Sequence, residues 1–161
     1  MSMKRILRFF LVFTVLNLAV LMVIRERGIY TFWHSNVERL SSTQGQSFIS
    51  NKDPLIIDAR TLEEYEVSHL NGAVRFNEDL LNTIPKQQPL LIYCTIGVRS
   101  NSLANQLTEK GFTEVFELKR GILGWKNADL PIMNNMGQLT DEIHVYNEFF
   151  VSFLKRGKAI Y

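Results

Sequence analysis

Short apolar runs that each hand over to a helical pattern set the strongest constraint on this chain. Leu55, Ile56 and Ile57 form a continuous apolar stretch, as a strand buried on both faces requires. Residues 89–93 repeat that pattern, residues 114–118 read as a further strand, and residues 73–76 read as another behind the turn signal Asn71-Gly72. Between them, residues 99–110 place Leu103, Ala104 and Leu107 on one helical face, with Gly111 as the stop. Thr61, with Glu64 three positions on, reads as a capping box opening a short helix, and residues 122–128 read as one more. Residues 37–50 carry a weaker signal that suits a strand or a helix. Strands alternating with helices predict a parallel α/β sheet.

The N-terminal stretch obeys a different rule. Residues 9–24 carry no charge, and with Ile6, Leu7 and a snorkelling Arg8 the apolar span reaches nineteen residues, about 28 Å as a helix. It has no polar face, which argues against a helix packed in a water-soluble core. It ends in Arg25-Glu26-Arg27 with no small-residue cleavage pattern, so residues 1–27 read as an uncleaved anchor in preference to a signal peptide. Lys4, Arg5 and Arg8 before the span against Arg25 and Arg27 after it favour a cytoplasmic N-terminus with the globular part outside. Residues 28–36 read as a linker, with Tyr30, Phe32 and Trp33 suited to the membrane interface.

The formal net charge of +2 belongs to that segment. Five of the 18 basic residues and one of the 16 acidic residues lie in the first 28 positions, leaving 13 against 15 for the remainder. Nothing basic enough to hold nucleic acid remains.

Residues 133–161 read as a helical extension of a domain covering residues 37–132. Leu139, Ile143, Tyr146, Phe150, Phe153 and Leu154 recur at three-to-four spacing. Thr140 could cap, Asp141 and Glu142 lie in the first turn, and Lys155 and Arg156 lie in the last, before Gly157. Packing on the sheet's flank is the plain reading of such a helix. Val145 and Phe149 widen its stripe and leave self-association or contact with a membrane surface open.

Cys94 is the one cysteine, so no intramolecular disulfide supports the fold. It stands where an apolar strand gives way to a helix, and ligands of open parallel sheets bind at such carboxyl ends. The unpaired N–H groups opening the next helix favour negative charge, Arg99 adds a full positive one, and Gly97 permits a tight anion-cradling turn. A buried cysteine is often only a small hydrophobe. Here strand end, glycine and arginine together argue for a nucleophilic thiolate that carries or accepts an anionic group.

The sequence resembles the rhodanese family of sulfurtransferases in several separated motifs. "LIIDARTLEEYEVSHLNGAVRF" is similar to the family's Asp-x-Arg, Glu-Tyr and His-Ile-Pro-Gly-Ala signatures. "LLIYCTIGVRS" resembles its active-site strand and loop, and "GFTEVFELKRGILGWKNADLPI" its closing stretch. The resemblance covers about residues 37–132. It implies a five-stranded parallel sheet flanked by helices on both faces, here with an N-terminal transmembrane helix and an extra C-terminal helix.

It further implies that Cys94 takes a sulfane sulfur as a persulfide and passes it to cyanide or a thiol. The loop Thr95, Ile96, Gly97, Val98 and Arg99 would surround that sulfur. Six residues from Cys94 through Arg99 match the sulfurtransferases; related phosphatases and arsenate reductases have seven. Thr95 and Ile96 depart from the pattern, since many members have a basic residue there to attract thiosulfate, and this leaves the donor unspecified.

Asp58, ending its strand, is expected to hold Arg99 or the loop backbone. Arg60 is expected either to face an anionic donor or to pair with Glu63 or Glu64. Arg120 could add positive charge beside the site. His69 reads as structural and Trp125 as core. No cofactor is implied, and no metal-ligand cluster is visible. The partners implied are a small sulfur-containing anion or a thiol, the membrane through the N-terminal helix, and no nucleic acid. The localisation that follows is a single-pass protein of a bacterial inner membrane with its domain on the periplasmic side. The competing reading is a tethered binding or sensing module without turnover.

Overall fold

A computed structural model of the chain describes residues 3–27 and 35–161. The interfacial aromatics Tyr30, Phe32 and Trp33 of the expected linker lie outside the described residues. Helix α1 (Met3–Arg27) is one unbroken element of 25 residues, about 37 Å long and therefore sufficient for a ~30 Å hydrocarbon layer. None of the other described residues covers it over Met3–Met22, and it is long and apolar enough to cross a membrane. Its two uncharged polar side chains satisfy themselves locally: Thr14 Oγ1 donates to the Phe10 carbonyl and Asn17 Nδ2 to the Phe13 carbonyl, both at 2.8 Å. That internal pairing is what apolar surroundings demand of a hydroxyl and an amide.

Five parallel strands form the central sheet: β1 (Glu38–Leu40), β2 (Leu55–Asp58), β3 (Val74–Arg75), β4 (Leu90–Tyr93) and β5 (Val115–Leu118). Their order is β1-β5-β4-β2-β3, which puts β4 in the middle with the apolar runs of β2 and β5 on either side. The ambiguous stretch after residue 37 resolves into β1 and helix α2 (Ser42–Lys52). Ser41 caps that helix, and Gln44 closes a capping box onto the Ser41 amide. Helix α3 (Leu62–Val67) opens with the expected Thr61–Glu64 box, α4 (Val98–Glu109) follows the cysteine loop, and α5 (Gly121–Asn127) follows β5.

Successive residues of each strand serve opposite layers, so the sheet has a core on each side. Ile56, Leu91, Tyr93 and Leu118 join Leu70, Ile122, Leu123 and Trp125, with Phe48 and Ile49 of α2 packed alongside. Ile57, Leu90, Ile92 and Val115 meet Leu103, Ala104 and Leu107 of α4, with Leu80 and Leu81 of a 3-10 turn (Glu78–Asn82). Helices therefore cover both faces, as expected.

The C-terminal segment corrects the sequence reading: residues 139–156 do not form a helix. Strand β7 (Leu139–Thr140) pairs antiparallel with β6 (Ile132–Met133), and β8 (Glu142–His144) pairs parallel with β9 (Lys158–Ile160), around a 3-10 turn at Glu148–Phe153. The reason is a period of two hidden inside the apparent helical period. Ile143 and Val145 are fully buried, while Glu142 is exposed and His144 half-buried, and β-branched side chains at 143 and 145 suit a strand better than a helix. Tyr146 then takes a left-handed backbone (φ 77°), and Asn147 starts the 3-10 turn with its side chain on the Phe149 amide. Asp141 pairs with Lys126 instead of serving a helix dipole.

The strap is thus part of the fold. Phe150, Phe153, Leu154 and Ala159 pack on the core beneath α5. Asn127 at the end of α5 donates to the Phe153 carbonyl and accepts from the Lys155 amide.

Candidate functional site

Cys94 follows the last residue of β4 and is almost completely buried. Two donors reach its sulfur. The Gly97 amide donates to Sγ at 3.1 Å, and the Ser100 hydroxyl lies 3.5 Å away. Gly97, at φ 113°, is in a region that L side chains avoid, and this conformation turns its N–H back over the sulfur. The helix α4 begins at the next residue, so its N-terminal end faces the same atom.

The loop is fixed from two directions. From the side of α3, the Glu64 carboxylate takes Arg99 Nη1 on Oε2 at 2.6 Å and Nη2 on Oε1 at 2.7 Å. Thr95 Oγ1 donates to Oε1 at 2.9 Å and itself accepts from Arg99 Nη2. Burial disfavours the Glu64 charge, but the Arg99 hydrogen bonds, the Thr61 amide, the Arg99 charge and the Thr95 hydroxyl outweigh it. They hold the carboxyl down at about 2. Burial likewise opposes the Arg99 charge, and Glu64, followed by Cys94, raises its pKa all the same.

From the other side, the amides of Ile122 and Leu123 in the first turn of α5 donate to the carbonyls of Cys94 (2.8 Å) and Thr95 (3.2 Å). Gly121 makes that approach possible. A Cβ built there would stand 2.1 Å from the Cys94 carbonyl oxygen, and its φ is +53°.

Ser100 links the sulfur to a further group. Its hydroxyl donates to Glu117 Oε1 at 2.8 Å; Glu117 sits in β5 with no exposed surface, and its Oε2 has no hydrogen-bond partner among the described residues. Burial pushes the Glu117 carboxyl up to about 7, against the Ser100 hydrogen bond and the charge of Arg39.

Six of the sequence candidates, Cys94, Thr95, Ile96, Gly97, Val98 and Arg99, come together as one loop. Ile96 is half-buried against the core and Val98 is exposed. Asp58 and Arg60 lie elsewhere and hold each other. Arg60 donates from Nε and Nη2 to the Asp58 carboxylate, the closest contact being 2.6 Å, and from Nη2 to the Ser68 carbonyl. Both side chains are wholly buried, so Asp58 is spent on Arg60 instead of Arg99, and Arg60 faces inward instead of toward a dissolved anion. Burial works against the Arg60 charge, but Asp58 overrides it and holds the pKa above its usual value.

Tyr93 completes this buried group, with its hydroxyl accepting from the Leu70 amide and Arg60 over its ring. His69 stacks on Tyr65 with centroids 4.1 Å apart and bonds the Tyr65 carbonyl through Nδ1, a structural setting. Trp125 packs in the core and donates to the Pro131 carbonyl. Arg120 lines a surface cleft with Ser41, Lys119 and Lys155. Among the described residues no His/Cys/Asp/Glu group has the arrangement of a metal site.

Sequence reasoning missed Glu64, Ser100, Glu117, Gly121 and Tyr146 as site residues. Glu64 was legible as a capping-box partner, a role it also fills, and as one possible partner of Arg60, but not as the partner of Arg99. Glu117 had a signal: a carboxylate at an inward position of an apolar strand. Tyr146, from the strap, has its ring 5.4 Å from the Arg99 guanidinium, and nothing in the local sequence announces that contact.

A five-stranded parallel sheet with a cysteine loop at the end of its central strand, closed by a loop arginine and a glycine-led helix, defines the rhodanese-type α/β class. The comparisons agree. Residues 41–128 match the model of the rhodanese-like domain, more than half of the chain, and the chain belongs to that family. It is 30% identical over 93 residues to the thiosulfate sulfurtransferase GlpE of Coxiella burnetii, covering 55% of this chain and 87% of that protein. Among solved structures, the rhodanese-like domain of an Anabaena protein superposes with a TM-score of 0.56 at 20% identity, over 63% of this chain and 80% of that one. Thiosulfate sulfurtransferase from Pseudomonas aeruginosa gives 0.55 at 19% identity over 63% of this chain, which spans about a fifth (21%) of that protein.

Proposed function

We propose that this protein is a membrane-anchored sulfurtransferase that moves a sulfane sulfur from a donor to a thiophilic acceptor through a persulfide on Cys94. The observation that carries this reading is the sulfur of Cys94 held at the end of β4 under the Gly97 amide, at 3.1 Å. The GlpE relative, named as a thiosulfate sulfurtransferase, supports the reaction class.

The chemistry balances without a cofactor. The Cys94 thiolate attacks the outer sulfur of the donor; a new S–S bond forms, the donor's own bond to that sulfur breaks, and its electron pair leaves with the remainder, sulfite in the case of thiosulfate. An acceptor such as cyanide or a thiolate then attacks the outer sulfur of the persulfide, and the pair returns to Cys94 Sγ. The Gly97 N–H supports the charge at Sγ in both steps, as fixed dipoles support developing charge generally. Arg99 holds the loop in shape through Glu64 and supplies a positive charge that acts on Cys94.

Uncharged Thr95 and Ile96 give a small anionic donor little attraction of their own, so a thiol persulfide suits the loop as well as thiosulfate does. The long apolar helix α1 supports a membrane tether for the domain, and the charge bias of its flanks favours the outer side. The tethered binding module without turnover drew on an amphipathic C-terminal helix, and that segment is instead a strap packed on the core.

The test uses the full chain in detergent. Thiocyanate release from thiosulfate or a glutathione persulfide with cyanide, and a gain of one sulfur atom by intact mass, are the expected results. Cys94→Ser abolishes both with little change in melting temperature. A wild-type chain that neither gains sulfur nor turns over overturns the proposal.

A further inference from the structure

The group joined to Cys94 through Ser100 stands apart from the Glu64 and Gly121 contacts that brace the loop. Ser100 has one hydroxyl proton and two acceptors within reach: Glu117 Oε1 at 2.8 Å and Cys94 Sγ at 3.5 Å. All three residues are buried, Ser100 and Glu117 completely, so no bulk water competes for that proton. Glu117 Oε2 has no hydrogen-bond partner among the described residues, which is the arrangement of a carboxyl that can carry a proton of its own.

The groups around Glu117 are few. Arg39 lies beside it in β1, at the register position paired with Glu117, and is the cation among the described residues whose charge acts on it. Ile92 flanks it in β4, and α4 presents the uncharged Ser100. The other nearby cation on α4, Arg99, is committed to Glu64.

We propose that Glu117 is a positioning residue whose protonation decides whether Ser100 donates its hydroxyl hydrogen to the carboxylate or to the Cys94 sulfur. With Glu117 ionised, the charged carboxylate takes the Ser100 hydrogen, and Sγ keeps only the Gly97 N–H. With Glu117 protonated, its O–H donates to Ser100 Oγ and the Ser100 O–H turns to Sγ. No proton changes owner within the relay; only the direction of two hydrogen bonds reverses. The second donor matters most when the acceptor attacks the persulfide, because the electron pair of the breaking S–S bond then returns to Sγ. The inference rests on the sulfur-transfer reading, and it makes the release step sensitive to pH in the neutral range, where burial has moved Glu117.

The experiment is single-turnover release from the persulfide form of the full chain, with cyanide as acceptor, for wild type and Glu117→Gln across pH. Gln is nearly isosteric and offers Ser100 a permanent N–H donor. Taking the ratio of the two rates cancels the titration of cyanide. The ratio of wild type to Glu117→Gln should stay near one at about pH 6 and fall to about one tenth at about pH 8, a tenfold effect being the size of one charge-assisted hydrogen bond.

In a Ser100→Ala background, Glu117→Gln should leave the rate within about twofold at every pH, since the link is gone. A flat ratio in the wild-type background overturns the relay. So does a pH-dependent ratio that survives Ser100→Ala, which would mean a through-space charge effect. Loading of Cys94 with sulfur, read by mass beforehand, separates either result from failure of the sulfur-transfer reading: a chain that takes no sulfur overturns both.

Discussion

Arg99 and Glu64 face each other fork to fork, with two parallel hydrogen bonds of 2.6 and 2.7 Å joining the cysteine loop to α3. The same carboxylate closes the capping box of α3 by accepting from the Thr61 amide at 3.1 Å. One side chain therefore couples the start of a helix to the shape of the loop, 35 residues away in sequence. Removing it leaves a half-buried guanidinium and a Thr61 amide without its carboxylate partner, although Thr61 still caps the residue-64 amide. Glu64→Ala should destabilise the domain by about 3–5 kcal/mol, as loss of one partner of a buried ion pair does. Urea denaturation reads this directly. Arg99→Ala strands the buried Glu64 carboxylate, so it should cost comparable stability at neutral pH, and it should lower sulfur transfer as well, because the loop loses both its brace and its cation.

The same pair sets an acid limit. The folded carboxyl of Glu64 lies at about 2, below its ordinary 4.5. A depressed carboxyl contributes stability that is complete above the unfolded value and is lost as pH falls through the folded one. The window is therefore from about pH 4.5 down to about pH 2, and the contribution is on the order of 3 kcal/mol. The melting temperature of wild type should drop steeply over that window, and that of Glu64→Gln much less. Equal slopes for the two proteins would refute the assignment.

Glu117 works in the opposite sense. Its folded carboxyl is raised from 4.5 to about 7, so its charged form is disfavoured in the folded state. The fold is most favoured by this group below about pH 4.5 and loses stability as pH rises toward about 7, after which the penalty is constant. Glu117→Gln should accordingly be more stable than wild type at about pH 8 and close to it at about pH 5, a difference visible in thermal melts.

Gly121 predicts a different kind of failure. Its backbone is left-handed, and a Cβ would meet the Cys94 carbonyl at 2.1 Å, the carbonyl that Ile122 caps. Gly121→Ala must push α5 away from the loop or refold the turn. A stability loss of about 2–4 kcal/mol is expected, with sulfur transfer falling further than stability alone explains. Gly72→Ala is the control, since it also has positive φ but open space around it, and it should cost only about 1 kcal/mol and leave transfer intact.

How much of this was legible follows from the range of the interactions. The sheet was readable because residues buried on both faces, such as Ile56-Ile57 and Leu90–Tyr93, leave a continuous apolar run in the sequence. The loop was readable because its chemistry is local, six residues from Cys94 to Arg99. Glu64 on Arg99, Glu117 on Ser100 and Tyr146 beneath Arg99 were not, because each contact spans 17 or more residues and depends on which strands become neighbours. Asp58 is expected from the sequence to hold Arg99 or the loop backbone, and Arg60 to face an anionic donor or pair with Glu63 or Glu64; two residues apart, they neutralise each other inside. The strap misled because its aromatic spacing fits a helix, while its decisive positions, 143 and 145, obey a period of two.

That last point yields a test that separates the strap from a helix. In the strap, Ile143 and Val145 are fully buried, Leu139 is 73% exposed and Phe149 is 64% exposed. A helix built on the three-to-four spacing would bury Leu139 together with Ile143 and leave Val145 near the edge of its stripe. Val145→Ala and Ile143→Ala should therefore each cost about 2–4 kcal/mol, with Val145 at the lower end, by transfer and cavity terms. Leu139→Ser and Phe149→Ser should remain within about 0.5 kcal/mol of wild type, as exposed positions do. The strap also places Tyr146 against Arg99, so Val145→Ala should lower sulfur transfer beyond its effect on folding, whereas Phe149→Ser should not. A large penalty at Leu139 with none at Val145 would restore the helical reading and remove the strap from the site.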